Sequence, residues 1–418
     1  AALPLLAVTG LGCDSLRAGA APEVPLWYTH PGGALDILAR RELTGETRVN
    51  GERYERGKPE IDPVHRRVFV GSSDNGLYAL HAEDLTTAWR FETRGSVQSE
   101  PLYDRREDVV YFGSNDGALY KVRAADGGLL WRFNTAAEVS RRPVLDGKTL
   151  YLVNANDTLI SIDASSGKLK WHQHRTPAFG MEVAGYAGAA LGQDKVFTAF
   201  SDGVVMAYAQ SDGAELWPSV DLAAEAEQSN GGEVPKYLDC DTTPIFDTIK
   251  AGPVVFVASY GAGVFALDAE NGAHVWRNDK AIGATEMILW RQAAHPARDG
   301  AGPETPAKKL LVVASAATGL WGIDPQDGHT VWRRKLPEGG IGMPAVIEGA
   351  LLVTSTRYGL FLFSPTDGAL IDGIETGSGF AMSAAAFGRR AYVMSNGGQL
   401  LGIYVTPPPN IPFGVKAE

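Results

Sequence analysis

Two acidic residues bracket a cysteine at Asp239-Cys240-Asp241, and the run continues through Thr242, Thr243 and Pro244. Carboxylates two residues apart on an extended chain face the same way, so they could accept together from a basic group or share a cation. Calcium takes six to eight oxygen ligands, and two carboxylates fall short of that. Aspartate and threonine also satisfy local backbone N–H groups, so a purely structural turn accounts for the same residues. His172 and His174 share one face of a strand-like run and could hold a metal, but no third ligand stands beside them. No Walker loop, HExxH, GxSxG or CxxC occurs. No motif here calls for a cofactor or a metal, although carboxylates paired for acid–base work across distant parts of the chain cannot be recognised from sequence. Cys13 and Cys240 are the only cysteines. They make no disulfide framework: Cys240 is either a lone buried thiol or the partner of Cys13.

The element that must carry these residues is a repeat. A tryptophan, or its stand-in Asp372, recurs at Trp89, Trp131, Trp171, Trp217, Trp276 and Trp332. Eleven residues before each mark stand Tyr78, Tyr120, Ile160, Met206, Phe265, Trp321 and Phe361. Four residues before, in six copies, stand Gly127, Gly167, Gly213, Gly272, Gly328 and Gly368. Units of about 40 residues, each with several short strands and glycine-rich turns, are the signature of propeller blades. Apolar residues at consecutive positions imply strands buried on both faces, because one blade must be sandwiched by its neighbours. The tryptophan is a packing residue between blades.

An eighth copy, "RAYVMSNGGQLLGIYV", lacks its mark, which would fall near Pro412. "VPLWYTH" near the start, with Trp27, has no copy of its own. The expected fold is thus an all-β, eight-bladed propeller over residues 25–412, its ring closed by an N-terminal strand around Trp27, with 413–418 as a tail. Two insertions explain the longest spacings: 222–236, where "SVDLAAEAEQSNGG" reads as a short helix between copies four and five, and the loop-like 290–308, placed between copies five and six. Such decorations are where partner-specific contacts sit. A net charge of −11 without basic clusters offers no footprint for nucleic acid.

Residues 1–12 are small and apolar, as in the tail of a signal peptide. Cys13 follows where a bacterial lipobox would put it, with Gly10 in the place usually held by leucine. Lipid attachment at Cys13 is expected, with 13–24 as tether; an incidental cysteine after a cleaved signal is the alternative. No apolar run is long enough to span a bilayer.

The repeats "ALDAENGAHVW", "GIDPQDGHTVW" and "SIDASSGKLKW" resemble the PQQ-like blade motif. That motif is shared by quinone-dependent dehydrogenases and by the BamB-like propeller lipoproteins of the outer-membrane β-barrel assembly machinery. The D-x-D-T-T-P pattern in "YLDCDTTPIF" is similar to the lipoprotein group, and the likeness extends over nearly the whole chain. It implies a non-enzymatic, lipid-anchored scaffold facing the periplasm, assisting insertion of outer-membrane barrels as one monomeric subunit of a hetero-complex. Its partner would be the central barrel subunit, bound through POTRA domains by Asp239 and Asp241, with Thr242, Thr243 and Pro244 setting loop geometry. An apolar–Arg contact of that family is matched only by Arg175, a few positions off. Another envelope complex remains the alternative partner. A quinone dehydrogenase is the remote one, since adjacent cysteines are absent. Asp14 leaves inner-membrane retention open beside the outer membrane.

Overall fold

A computed structural model describes residues 33–43, 55–177, 187–229, 231, 237, 239–294, 307–336, 339–376 and 378–406. Their strands form eight four-stranded antiparallel sheets arranged as the blades of a propeller. Blade one is typical: Glu60–Asp62, Arg67–Gly71, Gly76–His81 and Thr87–Glu92 pair in sequence order. First strands of neighbouring blades approach one another around the axis, and fourth strands lie outside. Burial follows this layout. Arg67–Gly71 and Val109–Ser114 are buried at every position, whereas the outer Thr87–Glu92 and Leu129–Asn134 are only half covered. Blade-on-blade stacking buries both faces of the middle strands, which is why their sequences run apolar without alternation.

Every blade but the fourth carries a β-bulge in its outer strand, one residue before the repeat mark. In blade one Trp89 pairs with Ala79 and Thr87 with Leu80, leaving Ala88 extra. The bulge turns the indole into the seam and spoils the regular edge that could template pairing with another chain. The indole N–H of Trp89, Trp131, Trp171, Trp276 and Trp332 then donates to a carbonyl just beyond the third strand of the next blade, at 2.8 to 3.0 Å. The glycine four residues before each mark meets the indole of the preceding blade. Gly127, at φ +73°, would place a Cβ 2.7 Å from Trp89, so both its backbone and its neighbour demand glycine.

The ring closes with an N-terminal strand, as expected; the segment around Trp27 lies outside the described residues. The closing strand is Leu35–Glu42, paired antiparallel to Gln399–Val405 as the outermost strand of blade eight. The position opposite Gly402, which a tryptophan would fill, is Ala39. Its seam is repacked from the other side. In blade one the glycine position is taken by Leu85, fully buried at φ +59° in the cluster against which Ala39 packs. Tyr392 replaces the indole as donor, its hydroxyl reaching Ala82 O at 2.7 Å. Asp372, the odd mark of blade seven, is buried and accepts from the N–H groups of Ala34 and Leu35 at 2.6 and 2.8 Å.

The exchanged pair at the closing seam predicts coupling. Leu85→Gly alone leaves a cavity, costing about 2–5 kcal/mol; Ala39→Trp alone overpacks by about 1–3 kcal/mol. Together they recreate the Gly–Trp contact of the other seams, so the double variant should recover about 1–3 kcal/mol relative to the sum. Thermal unfolding of the four proteins measures this, and simple additivity would refute it.

The first insertion forms the helix Leu222–Ser229, with Asp221 capping Ala224 N at 2.9 Å. The second lies elsewhere than the repeat spacing suggested. It falls inside blade six, between its first and second strands Ala284–Gln292 and Lys308–Ser315. Mark-to-mark distances cannot tell where within a unit residues are added.

Candidate partner-binding site at the channel mouth

Each blade opens with a short approach to its first strand. The approaches read Gly57-Lys58-Pro59, Ser99-Glu100-Pro101, Arg141-Arg142-Pro143, Thr242-Thr243-Pro244 and Gly342-Met343-Pro344, with Ala187-Gly188-Ala189 and Met382-Ser383-Ala384 in two others; in blade six Thr285-Glu286-Met287 takes this place at the start of the first strand itself. A first strand has a free edge at the axis, where proline's missing N–H costs no ladder bond. The residues around this proline line the channel at the face that also carries the turns between second and third strands. Links between blades hydrogen-bond to those turns, as Val97 N does to Ser72 O and Tyr260 N to Asp239 O.

The D-x-D-T-T-P run divides into holders and presenters. The Thr242 hydroxyl bonds both the N–H and the carbonyl of Ala258, each at 3.2 Å. Thr243 accepts from Gly188 N at 2.9 Å. Cys240 turns inward, buried, with its thiol 3.7 Å from Gly203 O; burial, then Asp241 and Asp239, push that thiol well up. Cys13 lies outside the described residues. Asp239 and Asp241 face a cavity of about 380 Å³ with Arg56, Glu100, Arg141 and Glu286. The loop sits at the channel mouth among charges, because the approaches of distant blades converge on the axis.

Arg141 is the hub of that mouth. It bonds Glu286 at 2.6 Å, the Asp241 carbonyl at 2.8 Å and Glu100 at 3.5 Å. Lys58 holds Glu100 from the other side at 2.7 Å. Burial opposes the charge on Arg141, but Glu286 and Glu100 outweigh it and keep it protonated. Asp241 is pushed up to about 8, first by burial and then by Asp239, which lies within hydrogen-bonding reach. The Oδ1 atoms of Asp239 and Asp241 are buried without a hydrogen-bond partner.

Arg175 is not brought into the cavity. It pairs with Asp202 on a turn of blade four and donates its backbone N–H to Asp157 O at 3.0 Å. That turn also supplies Gly203 O to Cys240 and to Leu222 N, so Arg175 and the acidic loop flank one structural support. His172 and His174 lie on the outer strand of blade three, where His174 meets the Thr158 hydroxyl at 3.1 Å. They belong to neither three-residue cluster of possible metal ligands among the described residues. One of those, Asp62-His65-Asp108, is occupied by the guanidinium of Arg67. Sequence reading missed Lys58, Glu100, Arg141 and Glu286. For Lys58 and Glu100 the signal was a charge immediately before the proline that opens a blade, and for Arg141 a charge two residues before it; Glu286 has no such proline beside it.

With the geometry in place, comparison with known proteins decides the family. The family model described as outer membrane protein assembly factor BamB matches residues 106–287 and 280–405. The chain belongs to the BamB family. The outer membrane protein assembly factor BamB of Legionella pneumophila (strain Paris) is 24% identical over 208 residues, covering 50% of this chain and 47% of that protein. That of Escherichia coli (strain K12) is 28% identical over 312 residues, covering 68% and 66%. The match thus spans about half the length of the first of these relatives. The crystal structure of BamB from Moraxella catarrhalis superposes with a TM-score of 0.66 at 17% identity, covering 88% of this chain and 99% of that one. The quinohemoprotein alcohol dehydrogenase of Comamonas testosteroni shares the fold, with a TM-score of 0.60 at 12% identity over 92% and 79%. A tricarboxylate quinone does not fit the cavity of this BamB-family chain, where Glu100, Asp239, Asp241 and Glu286 would oppose it.

Proposed function

We propose that this chain is a non-enzymatic, lipid-anchored periplasmic scaffold that assists assembly and insertion of outer-membrane β-barrel proteins. Its partner is the central barrel subunit, met through POTRA domains at the face that carries Asp239 and Asp241, with Cys13 as the lipid site. The observation that carries this reading is the BamB family match across blades two to eight. The channel mouth supports it chemically. Two buried carboxylates with unpartnered oxygens present acceptors to a basic group, each charge-assisted bond contributing about 1.5–3 kcal/mol.

The test is Asp239→Asn with Asp241→Asn, with partners captured from detergent-solubilised envelope. Binding of the barrel subunit should weaken about 100-fold or more, as two such bonds imply. The melting temperature should not fall, since Asp241 is buried beside a like charge that asparagine removes. Intact mass of the same preparation should show Cys13 as an acylated N-terminus. Undiminished capture would make the loop structural, and capture of an unrelated envelope complex by the unaltered chain would favour the alternative partner.

A further inference from the structure

We propose that the channel mouth is a binding site for an organic ammonium ion, held between Asp239 and Asp241. The inference needs no protein partner and stands whether or not the scaffold reading does.

Charge counting points to a cation. Four carboxyl groups face the cavity, Glu100, Asp239, Asp241 and Glu286, against Arg56 and Arg141. Lys58 adds a third positive charge through Glu100. With every group ionised, one carboxylate is left over. Arg141 is committed to Glu286, Glu100 and the Asp241 carbonyl, so the surplus falls on the aspartates. Asp239 is 6% exposed, and its Oδ1, like that of Asp241, is buried without a partner. A buried acceptor of this kind costs free energy unless something donates to it. The Oγ of Ser383, another lining residue, is also buried and unpartnered.

The walls select the class of cation. Tyr237 and Tyr260 line the cavity with rings edge-to-face at 5.4 Å, and Ile341, Met343 and Met382 line it as well. Aromatic faces and apolar side chains beside carboxylates suit an alkylammonium, which offers a charged head and an apolar stem. A hydrated metal ion would gain nothing from such walls.

A proton is the resident alternative. Asp241 is pushed up to about 8, so at neutral pH it keeps its proton. An arriving ammonium forms its bonds as the Asp241 carboxyl gives that proton to the solvent. The groups facing Asp241 are Asp239 and Cys240 on its own loop, Arg141 from blade three, Glu100 from blade two, Glu286 from blade six, and Arg56, Tyr237 and Tyr260 around the cavity.

Calorimetry on the full chain in detergent tests this with 1,5-diaminopentane, Nα-acetyl-lysine amide and the uncharged control 1-pentanol. The ammonium probes should bind one to one, and pentanol should not. Tighter binding of the diamine identifies a free amine as the source; tighter binding of the lysine amide identifies a protein side chain. Affinity should rise about 100-fold from pH 6 to pH 9, with one proton released at the lower pH and almost none at the higher. Asp241→Asn should weaken binding and remove its pH dependence, and Asp239→Asn should weaken binding as well. Failure of both ammonium probes at millimolar concentration, equal binding of pentanol, or unaltered affinity in both variants would overturn the proposal.

Discussion

Replacing Asp372 by alanine should release the closing strand of the ring. Asp372 occupies the position where six other blades carry tryptophan, yet its role is inverted. Five of those six tryptophans donate forward to the next blade, whereas this carboxylate accepts from Ala34 and Leu35 at the entry to the Leu35–Glu42 strand. The side chain is 2% exposed, so alanine leaves two N–H groups without their acceptor in a water-poor seam. At about 1.5–3 kcal/mol for each charge-assisted bond, the loss is about 3 kcal/mol or more. The effect should exceed that arithmetic in one respect, because the strand it holds covers, among the described residues, the only outer edge not supplied by the same blade's own chain segment. Hydrogen exchange across Leu35–Glu42 should lose protection together with a fall in melting temperature. Asparagine keeps an acceptor and should fall between; tryptophan, though it restores the repeat, offers none and should behave like alanine. Unchanged protection of that strand in the alanine variant would refute the assignment.

What the sequence disclosed about the fold is what repetition discloses. Six tryptophans and six glycines at fixed separations report one contact, the indole of a blade on the glycine of the next, so blade number and seam chemistry could be read directly. Closure could not be read the same way, because it rests on departures from the repeat. Ala39 and Leu85 bear no resemblance to the tryptophan and glycine they replace, and only their juxtaposition shows that they exchange volume across one seam. Trp27 drew attention because a tryptophan was missing from the eighth copy, whereas the position opposite Gly402 in the closing strand is Ala39.

The candidate site divides along the same line. Asp239 and Asp241 were legible as a local motif, and Thr242 and Thr243 as turn chemistry. Their surroundings were not, since Lys58, Glu100, Arg141 and Glu286 come from four other blades and meet only because the approaches converge on the axis. The threonine-proline portion of the motif proves to be this blade's version of an opening used around the ring. Specificity therefore resides in the two aspartates and in the distant groups that surround them.

Those distant groups carry the other large effect. Arg141→Met keeps most of the side chain's volume and removes its charge from a site where it is 13% exposed. Glu286 then loses its 2.6 Å partner and the Asp241 carbonyl its donor, while Glu100 retains Lys58. Breaking one side of a buried ion pair costs about 3–5 kcal/mol, because the remaining charge stays desolvated. Lysine should rescue only part, since one ammonium cannot reproduce the guanidinium fork that spans Glu286 and the carbonyl. Adding Glu286→Gln to Arg141→Met should recover much of the loss by removing the stranded charge, which separates an electrostatic role from a packing one. The pH dependence has a definite sign. Burial raises Glu100, but Lys58 and Arg141 outweigh it and hold its carboxyl below the ordinary 4.5. That hold contributes stability above the ordinary value and loses it as pH falls through the depressed one. The gap between wild type and Arg141→Met, measured by denaturant unfolding, should therefore be widest near neutrality and narrow below about pH 4. A constant gap across that range would assign Arg141 to packing alone. Because Arg141 also holds the Asp241 carbonyl, residues 239–244 should exchange hydrogen faster in the variant, linking the hub of the ring to the loop that presents the two aspartates.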